Sequence, residues 1–136
     1  LAVEAVEDFV AAFARERGYR RVVAIGTSGG GLPAIHAAIS KGWKRALAVG
    51  AASPSHHVGI AAKLREIAAM HDPAKTQLDI VYSAGNVRDA DASAQIKGLF
   101  PNALVEAEPA FSSHNLLDKL YHAGRLDAFM AKLLRD

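Results

Sequence analysis

Apolar residues recur at intervals of three and four near the start of the chain, at Val3, Val6, Val10 and Phe13. That spacing predicts an amphipathic helix with these side chains on its buried stripe. Gly18 ends it, because glycine takes up a left-handed cap without steric cost. Arg20 and Arg21 lead into the continuous apolar run 22–25, read as a short buried strand by its β-branched residues and the glycine that stops it. A second helix spans about 30–39, with Pro33 in its first turn, where a missing N–H costs nothing. After a connection at 42–45, residues 46–51 form a second strand. Both strands are apolar throughout instead of alternating, which predicts a parallel sheet covered on both faces.

The same alternation of patterns continues to the end. Residues 53–57 read as a loop at the end of the second strand. Ile60, Leu64 and Ile67 mark a third helix, which Asp72-Pro73 breaks. A third strand covers 78–84, a helix 92–99, and a fourth strand 103–107 after the turn at Pro101-Asn102. The final third is helical, carried by Leu116 to Tyr121 and then Leu126, Phe129, Met130, Leu133 and Leu134. A helix followed by four strand–helix units predicts one three-layer α/β domain over 1–136, with about four mostly parallel strands joined by right-handed crossovers.

Composition narrows the classes of function. Lys and Arg exceed Asp and Glu by only 2, and the basic residues are scattered, so nothing like a phosphate-tracking surface forms and no nucleic-acid partner is expected. The absence of cysteine removes disulfides, thiolate chemistry and cysteine-based zinc sites. It fits a reducing compartment. No apolar run has the length of a bilayer span and no signal segment opens the chain, so the expected setting is cytoplasmic, with no membrane partner. The chain opens on Leu1 in the middle of a helical pattern, which reads as an excised or processed domain.

Chemistry concentrates at one place. Gly26-Thr27-Ser28-Gly29-Gly30 is a G-x-S-x-G pattern that leaves a predicted strand and enters a predicted helix. On such a tight turn a serine hydroxyl stands clear of both elements. Gly26 and Gly30 supply the small neighbours that let helix and strand approach, and the Gly29 N–H would face an oxyanion. A bare serine is a weak nucleophile and needs a base within hydrogen-bonding reach. His114 is the first choice, with His56 and His57 as rivals in the loop after the second strand. Asp89 and Asp91 follow the third strand and offer two carboxylates.

From residue 22 to the end, the strand and turn around Ser28, the following strand, the acidic segment and the Ser113-His114-Asn115-Leu116-Leu117 stretch resemble the C-terminal half of an α/β-hydrolase. The resemblance implies Ser28 as nucleophile, His114 as base and an aspartate just after the third strand as acid. Asp89 is nearer the family's common spacing than Asp91, although the commonest position falls on Arg88. It implies a serine esterase using Ser28, His114 and Asp89 on a small or medium acyl ester, with no cofactor and no metal. Thr27, His56, His57 and Phe111 would line the pocket. Family members carry further strands before the serine, and a loop after one of them gives the second oxyanion donor. The reading is therefore of a reduced or truncated α/β-hydrolase-like domain with an exposed edge strand, completed by an upstream segment or by a second copy. The alternative is a degenerate hydrolase domain without catalysis, serving as an accessory, anion-binding or protein-interaction module.

Overall fold

A computed structural model describes residues 2–135. Four strands, β1 (Val23–Thr27), β2 (Arg45–Val49), β3 (Gln77–Ser83) and β4 (Leu104–Glu108), form one sheet in the order β1-β2-β3-β4. Every neighbouring pair is parallel. Among the described residues six helices accompany them: α1 (Val3–Glu16), α2 (Gly31–Lys41), α3 (Val58–Ile67), α4 (Val87–Leu99), α5 (Leu116–His122) and α6 (Leu126–Leu134). This is the α/β arrangement expected from the alternating pattern.

Two apolar clusters make the layers. On one face Ile35 of α2, Leu64 of α3 and Ile96 of α4 pack with Ala46, Ala48, Leu78 and Ile80. On the other, Leu116 and Leu120 of α5 and Leu133 of α6 pack with Leu47, Val49 and Val81. Alternate residues of β2 thus enter opposite clusters, as the pleat requires.

Cover is incomplete at both edges. Ile25 of β1 is 42% exposed, and Leu104 of β4 is 57% exposed. The expectation that the first strand is covered on both faces is corrected here. β1 is an edge strand, and among the described residues the cluster beneath α5 and α6 is built from β2 and β3 but does not take in Ile25.

Two helices also depart from the sequence pattern. The buried residues of α1 are Glu7 and Ala14, with Val3 and Val10 half-buried, whereas Val6 is 44% and Phe13 41% exposed. The face turned to α2 carries Glu7, whose carboxylate meets His36 Nδ1 at 2.6 Å with both residues buried. This satisfied polar pair takes the place that an apolar stripe was expected to fill. Exposed ion pairs of Glu4 with Lys63 and Asp8 with Lys41 tie α1 to α3 and α2. Helix α4 starts at Val87, five residues before the expected start. Asn86 caps it, its side chain accepting the Asp89 N–H at 3.0 Å. The acidic segment is therefore the first turn of a helix and not a loop.

Candidate active site

The site grows out of the turn between β1 and α2. Thr27 is still extended, but Ser28 has φ +50°, the one positive value at a non-glycine residue among those described. L-residues avoid that region because Cβ crowds the backbone, so the surroundings must hold Ser28 there. They do so partly through the Ser28 carbonyl, which accepts the Ala52 N–H at 3.0 Å. A single 3-10 turn, Ser28–Gly30, then feeds α2.

Two glycines make this geometry possible. A Cβ on Gly26 would overlap the Gly30 carbonyl and come within 2.9 Å of the Gly31 nitrogen. A Cβ on Gly31 would lie 2.8 Å from the Ala51 side chain. A Cβ on Gly30 would meet nothing within 4 Å. The close approach assigned to Gly26 and Gly30 thus belongs to Gly26 and Gly31, because α2 begins at Gly31 and passes directly over Ala48 and Ala51.

The sheet brings two distant segments to this turn. The Ser28 hydroxyl donates to His114 Nε2 at 2.9 Å. His114 Nδ1 lies 2.8 Å from Asp89 Oδ2 and 3.0 Å from Oδ1. An ionised carboxylate only accepts, so Nδ1 carries the ring proton and Nε2 is left as acceptor for the serine. The Asp89 side chain is 7% exposed and that of His114 is 42% exposed. The carboxylate is thus shielded while the imidazole edge and the serine face solvent. Chemically, the line can take a proton from Ser28 onto Nε2 and stabilise the resulting imidazolium.

His114 sits in the loop between β4 and α5, and that loop is fastened to β3. The Gly85 N–H donates to the Phe111 carbonyl at 3.0 Å, and the Ser83 hydroxyl donates to the Ser113 carbonyl. Gly50, at φ +54°, lies behind the pair: a Cβ there would come within 2.9 Å of the His114 carbonyl oxygen and 3.3 Å of Asp89 Oδ2.

The other expected residues separate. Asp91 lies apart from His114 and accepts from Gln95 Nε2 at 2.9 Å. Gly29 is exposed next to Ser28. His56 and His57 line a cavity of about 310 Å³ together with Ser28, His114, Asn86, Arg88, Asp89 and Asp91. Among the described residues neither of these histidines bonds to Ser28. Thr27 lines a second cavity of about 190 Å³ on the other side of His114, with Val49, Leu116 and Leu117. Phe111 lines neither cavity. It packs against the α5–α6 cluster with the Arg125 guanidinium 5.4 Å from its ring centre, so its expected place as a pocket wall is corrected. Its carbonyl is held by Gly85, two residues past β3, and its half-buried side chain packs against that cluster.

Gly50, Asn86 and Gln95 have no assigned role in the sequence pattern, and Arg88 enters it only as the residue at the family's commonest acid position. Gly50 stands directly after an apolar strand, and Asn86 three residues before Asp89 is a cap spacing. These were the available signals. Among the described residues no three metal-binding side chains converge. No helix there is long and apolar enough to cross a membrane.

Fold and site geometry together define an α/β protein with a Ser-His-Asp hydrogen-bonded line at the C-terminal ends of its parallel strands. No family model matches the chain, and no curated protein matches it. Among solved structures it is similar to MGS-MChE2, described as an alpha/beta hydrolase enzyme from the metagenome of sediments from the lagoon of Mar Chica, Morocco. The TM-score is 0.55 at 18% identity, covering 90% of this chain and 68% of the other. At that identity the likeness is one of fold.

Proposed function

We propose that this chain is a serine hydrolase in which Ser28 is the nucleophile, His114 the base and Asp89 the acid. One observation carries the reading: Ser28, in a strained conformation at a strand-to-helix turn, is joined through His114 to a buried carboxylate by bonds of 2.9 and 2.8 Å. Backbone strain at a hydroxyl that meets an imidazole backed by a buried carboxylate is what a nucleophile elbow requires. The fold shared with an α/β hydrolase supports it.

In this reading His114 Nε2 takes the Ser28 proton as Oγ attacks an acyl carbonyl. The same proton then passes to the leaving group, and an acyl-enzyme remains. Water repeats the sequence and frees Ser28. Asp89 holds the ring in the Nδ1–H tautomer throughout. The Gly29 N–H is one oxyanion donor. The second comes from a further strand paired to the open edge of β1, whose following loop would reach Ser28. That strand belongs to an upstream segment or to a second copy.

Labelling with a fluorophosphonate probe tests the reading. Mass spectrometry should place the adduct on Ser28, and Ser28→Ala should abolish it. A folded protein that takes no label, alone or with an upstream segment restored, would overturn the assignment.

A further inference from the structure

The larger cavity beside Ser28 differs from the apolar pocket expected for a simple acyl ester. Its apolar lining consists of Ala51, Ala52 and Ala92, and the rest is polar or titratable. Two segments form its walls: the loop after β2, with Ser53, His56 and His57, and the first turns of α4, with Asn86, Arg88 and Asp91.

These walls are fixed to each other. Gln95 on α4 accepts from the Ser53 hydroxyl at 3.0 Å and from the Ser55 N–H at 3.1 Å. With its carbonyl thus engaged, its amide donates to Asp91 at 2.9 Å. The cavity is therefore largely pre-formed, which lowers the entropy cost of binding there.

The hydrogen-bonding groups within it are unevenly used. Asp89 is taken by His114 and Asp91 by Gln95. Arg88, one helical turn before Asp91, has no ion pair or hydrogen bond among the described residues. The same cavity is lined by two imidazoles, His56 and His57, likewise without side-chain bonds among the described residues. The unengaged groups are thus a planar guanidinium with paired donors and two further N–H donors, a set that matches a carboxylate.

We infer that this cavity binds an anionic group of the substrate, a carboxylate on the acyl or alcohol portion of the ester, with Arg88 as the principal contact and His56 and His57 beside it. The inference rests on the hydrolase reading for its reaction, but the anion site is testable without turnover. Arg88 acts on specificity and takes no part in proton transfer.

Two matched pairs of esters test it: 4-nitrophenyl hemisuccinate against its methyl ester, and 3-acetoxybenzoate against its methyl ester. The charged member of at least one pair should show the higher kcat/KM. Arg88→Gln should lower that charged-to-neutral ratio roughly tenfold, Arg88→Lys should recover part of it, and Arg65→Gln, outside the cavity, should leave it unchanged. Independently, monomethyl succinate and 3-acetoxybenzoate titrated into the Ser28→Ala protein should shift the imidazole resonances of His56 and His57 saturably. Adding Arg88→Gln should remove the shift. Charged esters no better than their neutral mates in both pairs, or no Arg88-dependent binding, would overturn the anion site and leave the hydrolase reading standing. Arg88-dependent binding without turnover of any ester would do the reverse.

Discussion

Replacing Asp89 by asparagine isolates the role of the buried carboxylate. The side chains have the same shape, and Asp89 is 5% exposed, so the packing around it survives. The Asp89 N–H that Asn86 accepts is a backbone group and is unaffected. What changes is the tautomer of His114. Both carboxylate oxygens now lie within 3.0 Å of Nδ1, so that nitrogen must carry the proton. An amide can instead donate to a bare Nδ1, which moves the ring proton to Nε2, where it faces Ser28 and blocks proton transfer. In serine triads this error costs about 10⁴ in rate, or about 5.5 kcal/mol of transition-state stabilisation. The second-order rate of fluorophosphonate labelling at Ser28 should therefore fall by roughly four orders of magnitude in Asp89→Asn. Loss of a charged hydrogen bond should cost only about 2 kcal/mol of folding stability, read from urea unfolding. Asp91→Asn supplies the contrast. Asp91 is exposed and bonded to Gln95, so labelling there should change by less than about threefold. Labelling of Asp89→Asn within tenfold of the parent, or a large loss confined to Asp91→Asn, would refute the assignment of the acid.

Three further outcomes follow from the packing. Gly26→Ala should cost about 3 kcal/mol and abolish labelling, because its Cβ meets only backbone, whereas Gly30→Ala, at φ −81° with open space around it, should stay within about 1 kcal/mol in the same unfolding assay. Glu7→Ala should cost about 3 kcal/mol by leaving buried His36 without its carboxylate, with only the long Ser40 contact remaining, and Glu7→Leu with His36→Leu should recover most of that loss, as a double-mutant cycle would show. Burial pushes the Asp79 carboxyl above its ordinary value, with the Gln77 hydrogen bond and the Arg45 charge opposing the rise. A raised folded value means the group favours folding below the ordinary carboxylate range and loses that contribution as pH rises through the folded value. The urea midpoint of the parent should accordingly fall over this window relative to Asp79→Asn, and a parent with an identical pH slope would exclude Asp79 as its source.

The acid shows where linear reasoning stopped. With the third strand read to 84 and the next helix from 92, both Asp89 and Asp91 fall between elements, and only the family's spacing favours Asp89. Once Asn86 caps a helix starting at Val87, the two positions differ by about 200° around its axis. One carboxylate then turns inward to His114 and the other outward to Gln95. The place of Phe111 failed for a related reason. Nearness in sequence to His114 says nothing about side-chain direction, and with the loop fastened at Ser83 and Gly85 that ring packs against the α5–α6 cluster. In α1 the three-and-four spacing described a real helix but only half of its covered face: Val3 and Val10 are half-buried in line with Glu7 and Ala14, whereas Val6 and Phe13 are exposed, since the partner for Glu7 lies 29 residues away on α2.

By itself the sequence determined the alternation of strands and helices, the parallel sheet and the turn at Ser28. Each of these depends on local period, on glycine and on continuous apolar runs, which neighbouring residues carry among themselves. Only the tertiary structure decided which aspartate meets His114, which glycines the turn needs and which charges line the cavity beside Ser28. Those depend on how segments up to 86 residues apart are brought to one end of the sheet, and no local pattern encodes that distance.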